Sequence, residues 1–323
     1  MPDTGPISVS SAARALVERI VAVAGDRPPE QRERLRERLS TLMTTEPDDA
    51  VGRLVERLMT TGKDFAYYPP DPLARKIQHA VAEFAVLEDS MLFGAEHLAE
   101  VGERPMLLLS NHLSYSDANL LEVLLRKAGC DKVADRLTVV VGPKVYSEPF
   151  RRFSSLCFGT IKTPQSSARS SEEAVMPARE VALLARATIS IAVERQHLGD
   201  AVLVFVEGTR SRNATMQRAL QGVARYFEEP ERLIVPIAIT GTERFVPIGV
   251  EQMNTTRVTI RVGRAVAASA LSARSGSSRK LRMDAIGVAI ARLLPPEYRG
   301  VYGDGAPDQA TAVAVADATF GPP

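Results

Sequence analysis

From about residue 90 onward, short apolar runs alternate with longer helical patterns, and this alternation constrains the fold more than any other feature of the sequence. The apolar runs cover residues 106–110, 137–142, 202–206, 233–240 and 257–262. Most are bounded by polar residues or glycine, as expected of buried strands. Residues 118–127 and 178–198 are predicted helices, each followed closely by a glycine that suits a helix end. Strands alternating with helices predict an α/β fold with a mainly parallel central sheet flanked by helices.

The first 89 residues have a different pattern, with apolar positions at helical spacing. Residues that favour helix N-termini mark four predicted helices, near Ser11, Pro29, Asp48 and Asp71. Their apolar stripes need a surface to pack on, so a helical bundle docked on the following domain is expected. The predicted organisation is a helical segment over residues 1–89, an α/β domain over 90–302 and a flexible Ala-, Gly- and Pro-rich tail over 303–323.

The composition argues against several classes of protein. No apolar run approaches the roughly 20 residues that cross a bilayer as a helix, and the N-terminus lacks the apolar region of a secretory signal. Cys130 and Cys157 have no metal-ligand spacing and cannot build a disulfide framework, so a cytoplasmic protein is expected. The four histidines are scattered, which predicts no metal site. The Arg- and Glu-rich second helix is interpreted as a solvated face, so no nucleic-acid partner is expected.

The net charge of +1 conceals an uneven distribution. Residues 105–323 contain 27 Lys and Arg against 21 Asp and Glu. This excess suits an anionic ligand such as a phosphate, an acyl carrier or a lipid headgroup. An ordinary solvated surface explains it about equally well.

A histidine and a carboxylate follow the predicted strand at 106–110. The loop has the sequence Ser110-Asn111-His112-Leu113-Ser114-Tyr115-Ser116-Asp117. Histidine changes protonation near neutral pH, and a nearby carboxylate fixes its tautomer, so His112 and Asp117 suit a general base and its orienting group. Because the chain has no Gly-x-Ser-x-Gly elbow, such a base would activate a substrate hydroxyl directly. The alternative is structural, with Asp117 and Ser116 capping the next helix.

A second polar loop follows the predicted strand at 202–206. Its residues are Glu207, Gly208, Thr209, Arg210, Ser211 and Arg212. Glycine lets backbone N–H groups approach an anion, the hydroxyls add donors, and either arginine can bind a phosphate through two parallel hydrogen bonds. Alone, the pattern also describes a turn with a surface arginine pair. It is not a P-loop, because the Gly-Lys-Ser/Thr ending is absent.

Together, the two loops resemble the motifs of the glycerol-3-phosphate/lysophosphatidate acyltransferase family. The resemblance rests on Asn111-His112-x-Ser114-x-x-Asp117, followed later in the chain by Phe205-x-Glu207-Gly208-Thr209-Arg210-Ser211. Pro143-Lys144 and the apolar strand that contains Pro236 agree with the family pattern more weakly. The resemblance covers roughly residues 90–265.

The resemblance implies an enzyme of phospholipid synthesis that needs no cofactor. It would move a fatty acyl group from acyl-CoA or acyl carrier protein to a hydroxyl of glycerol-3-phosphate or lysophosphatidate, in the cytoplasm or peripherally at the inner face of the membrane. His112 would take the hydroxyl proton, and Asp117 would orient its ring. The acceptor would be bound by Glu207, Gly208, Thr209, Arg210, Ser211, Lys144 and Lys162.

The chain departs from the family pattern in the middle motif. Residues 158–165 lack the arginine that usually follows a glycine and an extended apolar segment there. Lys162, or Arg169 further on, could supply the charge, but a lysine cannot reproduce a bidentate grip. The acceptor therefore stays open between lysophosphatidate, glycerol-3-phosphate and another hydroxyl compound.

Two other functions share these motifs. One is a non-catalytic lipid- or acyl-carrier-binding protein, for which an intact histidine–carboxylate pair has no physical use. The other is a hydrolase that passes the acyl group to water. Residues 145–153 mix aromatic side chains with a basic pair, which suits contact with a lipid surface or, for Phe150 and Phe153, packing in the core.

Overall fold

The structure, a computed structural model of the chain, describes residues 9–25, 27–60, 65–146, 149–164, 177–250, 252–303 and 309–322. Its first part is helical, as the apolar stripes predict. The helices are α1 (Val9–Val23), α2 (Pro29–Thr45), α3 (Asp48–Met59) and α4 (Pro72–Ala85). Asp71 caps α4, since its side chain accepts hydrogen bonds from the backbone N–H groups of Leu73 and Ala74, both at 3.0 Å.

The N-terminal helices share a core with the central sheet. Leu35, Leu39, Leu54 and Ile77 are buried in the same continuous cluster as residues of the strands. Isolated helices of this length would not stay folded without such tertiary packing. The helical segment thus docks on the α/β part of the chain, while the domain limits at residues 89 and 302 stay predictions.

Within the described residues, nine strands form one sheet. They are β1 (Tyr67–Tyr68), β2 (Met91–Phe93), β3 (Met106–Ser110), β4 (Leu137–Val141), β5 (Gly159–Lys162), β6 (Ala201–Phe205), β7 (Leu233–Thr240), β8 (Thr259–Val262) and β9 (Val266–Ala267). Their order is β1-β5-β4-β6-β3-β7-β8-β2, and β9 pairs with β7. The pairings of β3 with β6 and β7, of β4 with β5 and β6, and of β2 with β8 are parallel. The predicted α/β fold with a mainly parallel sheet and a preceding helical segment is confirmed.

The predicted strands include every strand of five or more residues. β3, β4, β6, β7 and β8 correspond to the five predicted runs, and every residue of β3 and β7 is buried. The other four strands have at most four residues each. They were not predicted because each is too short to give a clear strand pattern.

Helices connect and flank these strands. They are α5 (Ala95–Val101), α6 (Asp117–Lys127), α7 (Asp131–Asp135), α8 (Pro143–Tyr146), α9 (Pro149–Leu156), α10 (Ala178–His197), α11 (Ala268–Ser275), α12 (Arg279–Leu293) and α13 (Ala310–Phe320). In the part of the chain that the structure describes, none of the helices is both long and apolar enough to cross a bilayer.

Alternate residues of the central strands build one core layer on each face of the sheet. Met106 and Leu108 belong to the layer that includes α4, α6 and the other N-terminal helices. Leu107 and Leu109, which point the opposite way, belong to the layer that includes α12 and α13. The sheet therefore lies between two helical layers, as expected of an α/β sandwich.

The C-terminal segment differs from the predicted flexible tail. Residues 310–320 form α13, which packs on α12 and buries Ala312, Val315 and Ala316. Arg292 of α12 also pairs with Asp317 of α13. The physical reason is that alanine, which suggested a mobile tail, is the strongest helix former, and these buried positions have helical spacing.

Candidate active site

The two motif loops meet at one edge of the sheet. β3 leads into His112 and β6 leads into residues 207–211, and the register of these parallel neighbours pairs Ser110 with Phe205. Neighbouring parallel strands end at the same edge, where α/β proteins place their sites. The backbone N–H of Ser211 donates to the His112 carbonyl at 2.7 Å, which joins the loops directly.

Two contacts fix the orientation of the His112 imidazole, one at a ring nitrogen and one on the face of the ring. Its Nδ1 lies 2.7 Å from Oδ2 of Asp117. Because Nδ1 donates in this hydrogen bond, Nε2 is left to accept a proton. The ring stacks on Phe205 with centroids 4.1 Å apart and an interplanar angle of 17°. The ring is thus oriented as a general base requires, with 13% of the side chain exposed.

Asp117 is fully buried and serves the loop that precedes it. Its carboxylate accepts hydrogen bonds from the backbone N–H groups of Leu113 at 2.7 Å and Ser114 at 3.0 Å. It also accepts one from the Thr242 hydroxyl at 2.5 Å. Ser116 makes no side-chain cap to α6. Asp117 therefore orients His112 and its loop, and the alternative in which Asp117 and Ser116 only cap the helix does not describe these contacts.

Asn111 anchors the start of the same loop. Its Nδ2 donates to the Ile239 carbonyl at 2.9 Å, and its Oδ1 accepts from the Ile239 backbone N–H at 2.8 Å. This pair of bonds fastens the end of β3 to β7. The residue before His112 is therefore fixed to the sheet.

Glu207 supports the His112 loop from the protein interior, which corrects its predicted role in binding the acceptor. Its carboxylate is buried and accepts hydrogen bonds from the backbone N–H groups of His112 and Gln217, both at 2.8 Å. Both oxygens are thus bound by the protein backbone. Glu207 therefore positions the His112 loop and is not placed to bind an acceptor phosphate.

Burial gives Glu207 a testable pH signature. It raises the pKa of Glu207 from 4.5 to about 7, against the opposing effect of the backbone donors of Gln217 and His112. The folded state therefore holds this proton at pH values where the unfolded chain has lost it. The resulting contribution to stability, on the order of 3 kcal/mol, is present below the unfolded pKa and lost as pH rises through about 7.

We expect Glu207→Gln to remove this pH dependence, because the amide cannot ionise. The variant should also lose about 1–3 kcal/mol of stability, since its NH2 group faces a backbone donor. Chemical unfolding of both proteins between about pH 5 and about pH 8 measures the slope that distinguishes them. Parallel slopes for the two proteins would show that Glu207 does not titrate in this range.

A cleft of about 550 Å³ lies beside His112. Lys144, Arg210 and Arg225 line it, and no acidic side chain is among its described lining residues. Gly208 also lines it, with a φ of +67° that favours glycine and brings the backbone close to the cleft. The volume is typical of a small-molecule site. The cleft suits an anionic ligand with an apolar part, since seven valines are among its described lining residues.

Lys162 and Ser211 lie away from the cleft, which corrects their predicted role in binding the acceptor. Lys162 is buried, with its Nζ 4.2 Å from the ring centroid of Tyr68 and 4.9 Å from that of Tyr146. Ser211 is buried, and its hydroxyl donates to the side chain of Asn213 at 2.9 Å. Neither is among the described residues that line the cleft. Arg169, the other candidate for the missing middle-motif charge, lies outside the described residues.

The remaining predicted residues converge on the cleft. Thr209 and Arg210 line it with Gly208 and Lys144, whereas Arg212 is exposed and is not among the described lining residues. The guanidinium carbon of Arg210 lies 4.2 Å from the ring centroid of Tyr115. Such packing holds the arginine in place over the aromatic ring. The structure thus places Arg210, and not Arg212, among the described residues of the cleft.

Sequence reasoning missed several residues of this site. Tyr115 and Phe205 stood within the motifs but looked like ordinary aromatic positions. Thr242 follows β7, and Arg225 lies in a 3-10 helix (Gln221–Phe227), so no local pattern connected them to His112. Phe153 is buried in the core, while the side chain of Phe150 lies outside the described residues.

One comparison with known protein families agrees with the two motif loops. Residues 92–240 match the model of a protein family described as Acyltransferase. The matched residues include both motif loops, in agreement with the resemblance that the motifs predict. Among solved structures, the chain is similar to the crystal structure of the 1-acyl-sn-glycerophosphate (LPA) acyltransferase PlsC from Thermotoga maritima, at 14% identity and a TM-score of 0.42, over 75% of this chain and 88% of that chain. No curated protein matches the sequence significantly.

Proposed function

We propose that this protein is an O-acyltransferase that moves a fatty acyl group from a thioester to a hydroxyl of a phosphorylated glycerol. The donor is acyl-CoA or acyl carrier protein, and the acceptor is glycerol-3-phosphate or lysophosphatidate. One observation carries the proposal. The oriented His112–Asp117 pair faces a cleft that also contains the cationic Gly208–Arg210 loop and no described acidic lining residue.

The proposed reaction needs one base and no enzyme nucleophile. Nε2 of His112 takes the proton of the acceptor hydroxyl as that oxygen attacks the thioester carbonyl. Collapse of the tetrahedral intermediate breaks the carbon–sulfur bond, and the imidazolium returns its proton to the thiolate. Asp117 stabilises the imidazolium while it exists. Backbone N–H groups of the two loops are candidate donors to the oxyanion.

The anionic part of the acceptor is assigned to Gly208, Thr209 and Arg210. A guanidinium binds phosphate through charge-assisted hydrogen bonds, and the glycine lets the backbone approach. Lys144 and Arg225 line the same cleft and add positive charge. A lipid acceptor and product also imply contact with a membrane surface, which we assign to the inner face.

The assignment of the phosphate site predicts a contrast between two neighbouring arginines. We expect Arg210→Ala to raise the acceptor KM about 10–100-fold with little change in kcat, because charge-assisted hydrogen bonds are lost. Arg212→Ala is the matched control and should behave like the wild type, since Arg212 is exposed and not among the described lining residues. Steady-state assays with acyl-CoA and a panel of hydroxyl acceptors measure both.

The same assay tests the proposed function itself. Transfer to a phosphorylated glycerol, with an acceptor KM that depends on Arg210, supports it. Equal effects of the two substitutions would remove Arg210 from the phosphate site. Loss of the thioester without an acylated product would identify the protein as a hydrolase.

A further inference from the structure

A second cavity, of about 960 Å³, adjoins the cleft beside His112, which we call the catalytic cleft. It lies between the N-terminal helices and the α/β domain. Tyr115, Ser154 and Arg210 line both cavities. The two cavities therefore adjoin at these residues, and the ring centroid of Tyr115 is 6.5 Å from that of His112.

The walls of the second cavity are mostly apolar. Helices α1 and α3 contribute Ala12, Ala15, Leu16, Val55 and Leu58, among others. Val246 and Pro247 line the cavity from the α/β domain. A surface of this kind gains free energy by covering hydrocarbon.

Cations gather at the end that adjoins the catalytic cleft. The guanidinium carbons of Arg151 and Arg210 lie 4.8 Å and 4.2 Å from the ring centroid of Tyr115. Arg19 also lines the cavity, and no acidic side chain is among the described lining residues. Within the described part of the chain, neither Arg151 nor Arg210 forms an ion pair. An apolar cavity with two such arginines beside the catalytic cleft is complementary to an anionic headgroup that carries one hydrocarbon chain.

Several apolar side chains at the second cavity are exposed to solvent. Met59 and Val250 line the cavity and are 72% and 44% exposed. Ile248, between the lining residues Pro247 and Gly249, is 49% exposed. Exposed apolar side chains that lie close together mark a surface for contact with lipid or another apolar partner.

We propose that the second cavity binds the acyl chain of a single-chain anionic phospholipid, which is the acceptor of the reaction. Its phosphate lies at Arg151 and Arg210, and its free hydroxyl reaches His112 in the catalytic cleft. This inference rests on the proposed function and narrows it, since glycerol-3-phosphate has no chain to occupy the cavity. The N-terminal helices then have a defined role, because they build one wall of the acceptor site.

The arrangement assigns the two cavities to different substrates. The catalytic cleft has apolar walls of its own, which suit the acyl chain of the thioester. Arg210, the proposed phosphate-binding residue, lines both cavities, so an acceptor phosphate held there places the acceptor's own chain beside the second cavity.

Filling the second cavity tests the assignment. Ala15 is exposed and lines this cavity from α1, whereas Ala187 is an exposed alanine of α10 and is not among the described residues that line either cavity. Ala15→Trp places an indole in the path of the chain, and Ala187→Trp is the matched control. Binding of oleoyl and hexanoyl lysophosphatidate is measured by calorimetry without thioester, and the acceptor and donor KM values are measured by turnover.

We expect Ala15→Trp to weaken the binding of oleoyl lysophosphatidate at least tenfold, because excluding two methylene groups from the cavity suffices for a change of that size. The affinity for hexanoyl lysophosphatidate and the donor KM should change little. Ala187→Trp should match the wild type in every measurement. Arg151→Ala should weaken the binding of both lysophosphatidates to the same extent, since both carry the phosphate.

Two results would overturn the inference. One is unchanged oleoyl binding in Ala15→Trp, provided that its thermal unfolding matches that of Ala187→Trp. The other is a rise in the oleoyl-CoA KM instead, which would assign the cavity to the donor chain. Because calorimetry needs no turnover, a protein that binds oleoyl lysophosphatidate through this cavity but transfers nothing would refute the proposed function and leave the cavity's assignment standing.

Discussion

Replacing His112 with alanine is expected to lower kcat/KM for acyl transfer by about 10²–10⁴-fold, because the reaction loses its only proton acceptor at the attacking hydroxyl. The fold should persist. The imidazole lies at the cleft, and Asp117 keeps its hydrogen bonds from Leu113, Ser114 and Thr242 after the ring is removed. Release of free thiol, followed at saturating donor, measures the rate.

The control is a histidine that has no part in the site. His197 is exposed at the end of α10, with its Nε2 3.1 Å from Oε1 of Glu229. We expect His197→Ala to retain wild-type kcat/KM. If His112→Ala retained it too, with the circular dichroism of both variants unchanged, general-base catalysis by His112 would be refuted.

Replacing Asp117 with asparagine is expected to lower kcat by about 10²–10⁴-fold, since the imidazolium loses its counter-charge and the ring can adopt the wrong tautomer. Unlike a surface change, this one should also cost about 1–3 kcal/mol of stability. The reason is that both carboxylate oxygens accept hydrogen bonds, and the NH2 group of asparagine must face one of these donors.

Asp200 offers a matched control for Asp117. It is also buried and accepts hydrogen bonds from the Thr138 hydroxyl and from Nε of Arg195, each at 2.7 Å. It precedes β6, at the opposite edge of the sheet from the site. Asp200→Asn should therefore lose stability while kcat stays near the wild-type value. Comparable kcat losses in the two variants would mean that Asp117 acts only through stability.

The central strands and the position of the site were predictable because their determinants are local in sequence. The run at 106–110 is apolar at nearly every position since β3 is covered on both faces, and the same holds for β7. Polar loops that directly follow two such strands must lie at one edge of a parallel sheet. The proximity of His112 to Arg210 followed from that rule.

The roles of individual side chains were not predictable in the same way, since they depend on where each one points. Glu207 and Arg210 are three residues apart in one motif, yet the first faces the backbone of the His112 loop and the second faces the cleft. Thr242 supports Asp117 across 125 positions of the chain. The second cavity arises where α1 and α3 meet the α/β domain, and no sequence pattern specifies such a meeting.

The fate of the acyl group tests the account most directly. The purified protein is incubated with oleoyl-CoA, with and without lysophosphatidate, and the products are identified by mass. We predict a diacylated phosphatidate when lysophosphatidate is present, formed in step with free CoA, and little loss of thioester when it is absent. Oleic acid formed at the same rate in both reactions would contradict the account, because the base would then serve water and not a bound alcohol.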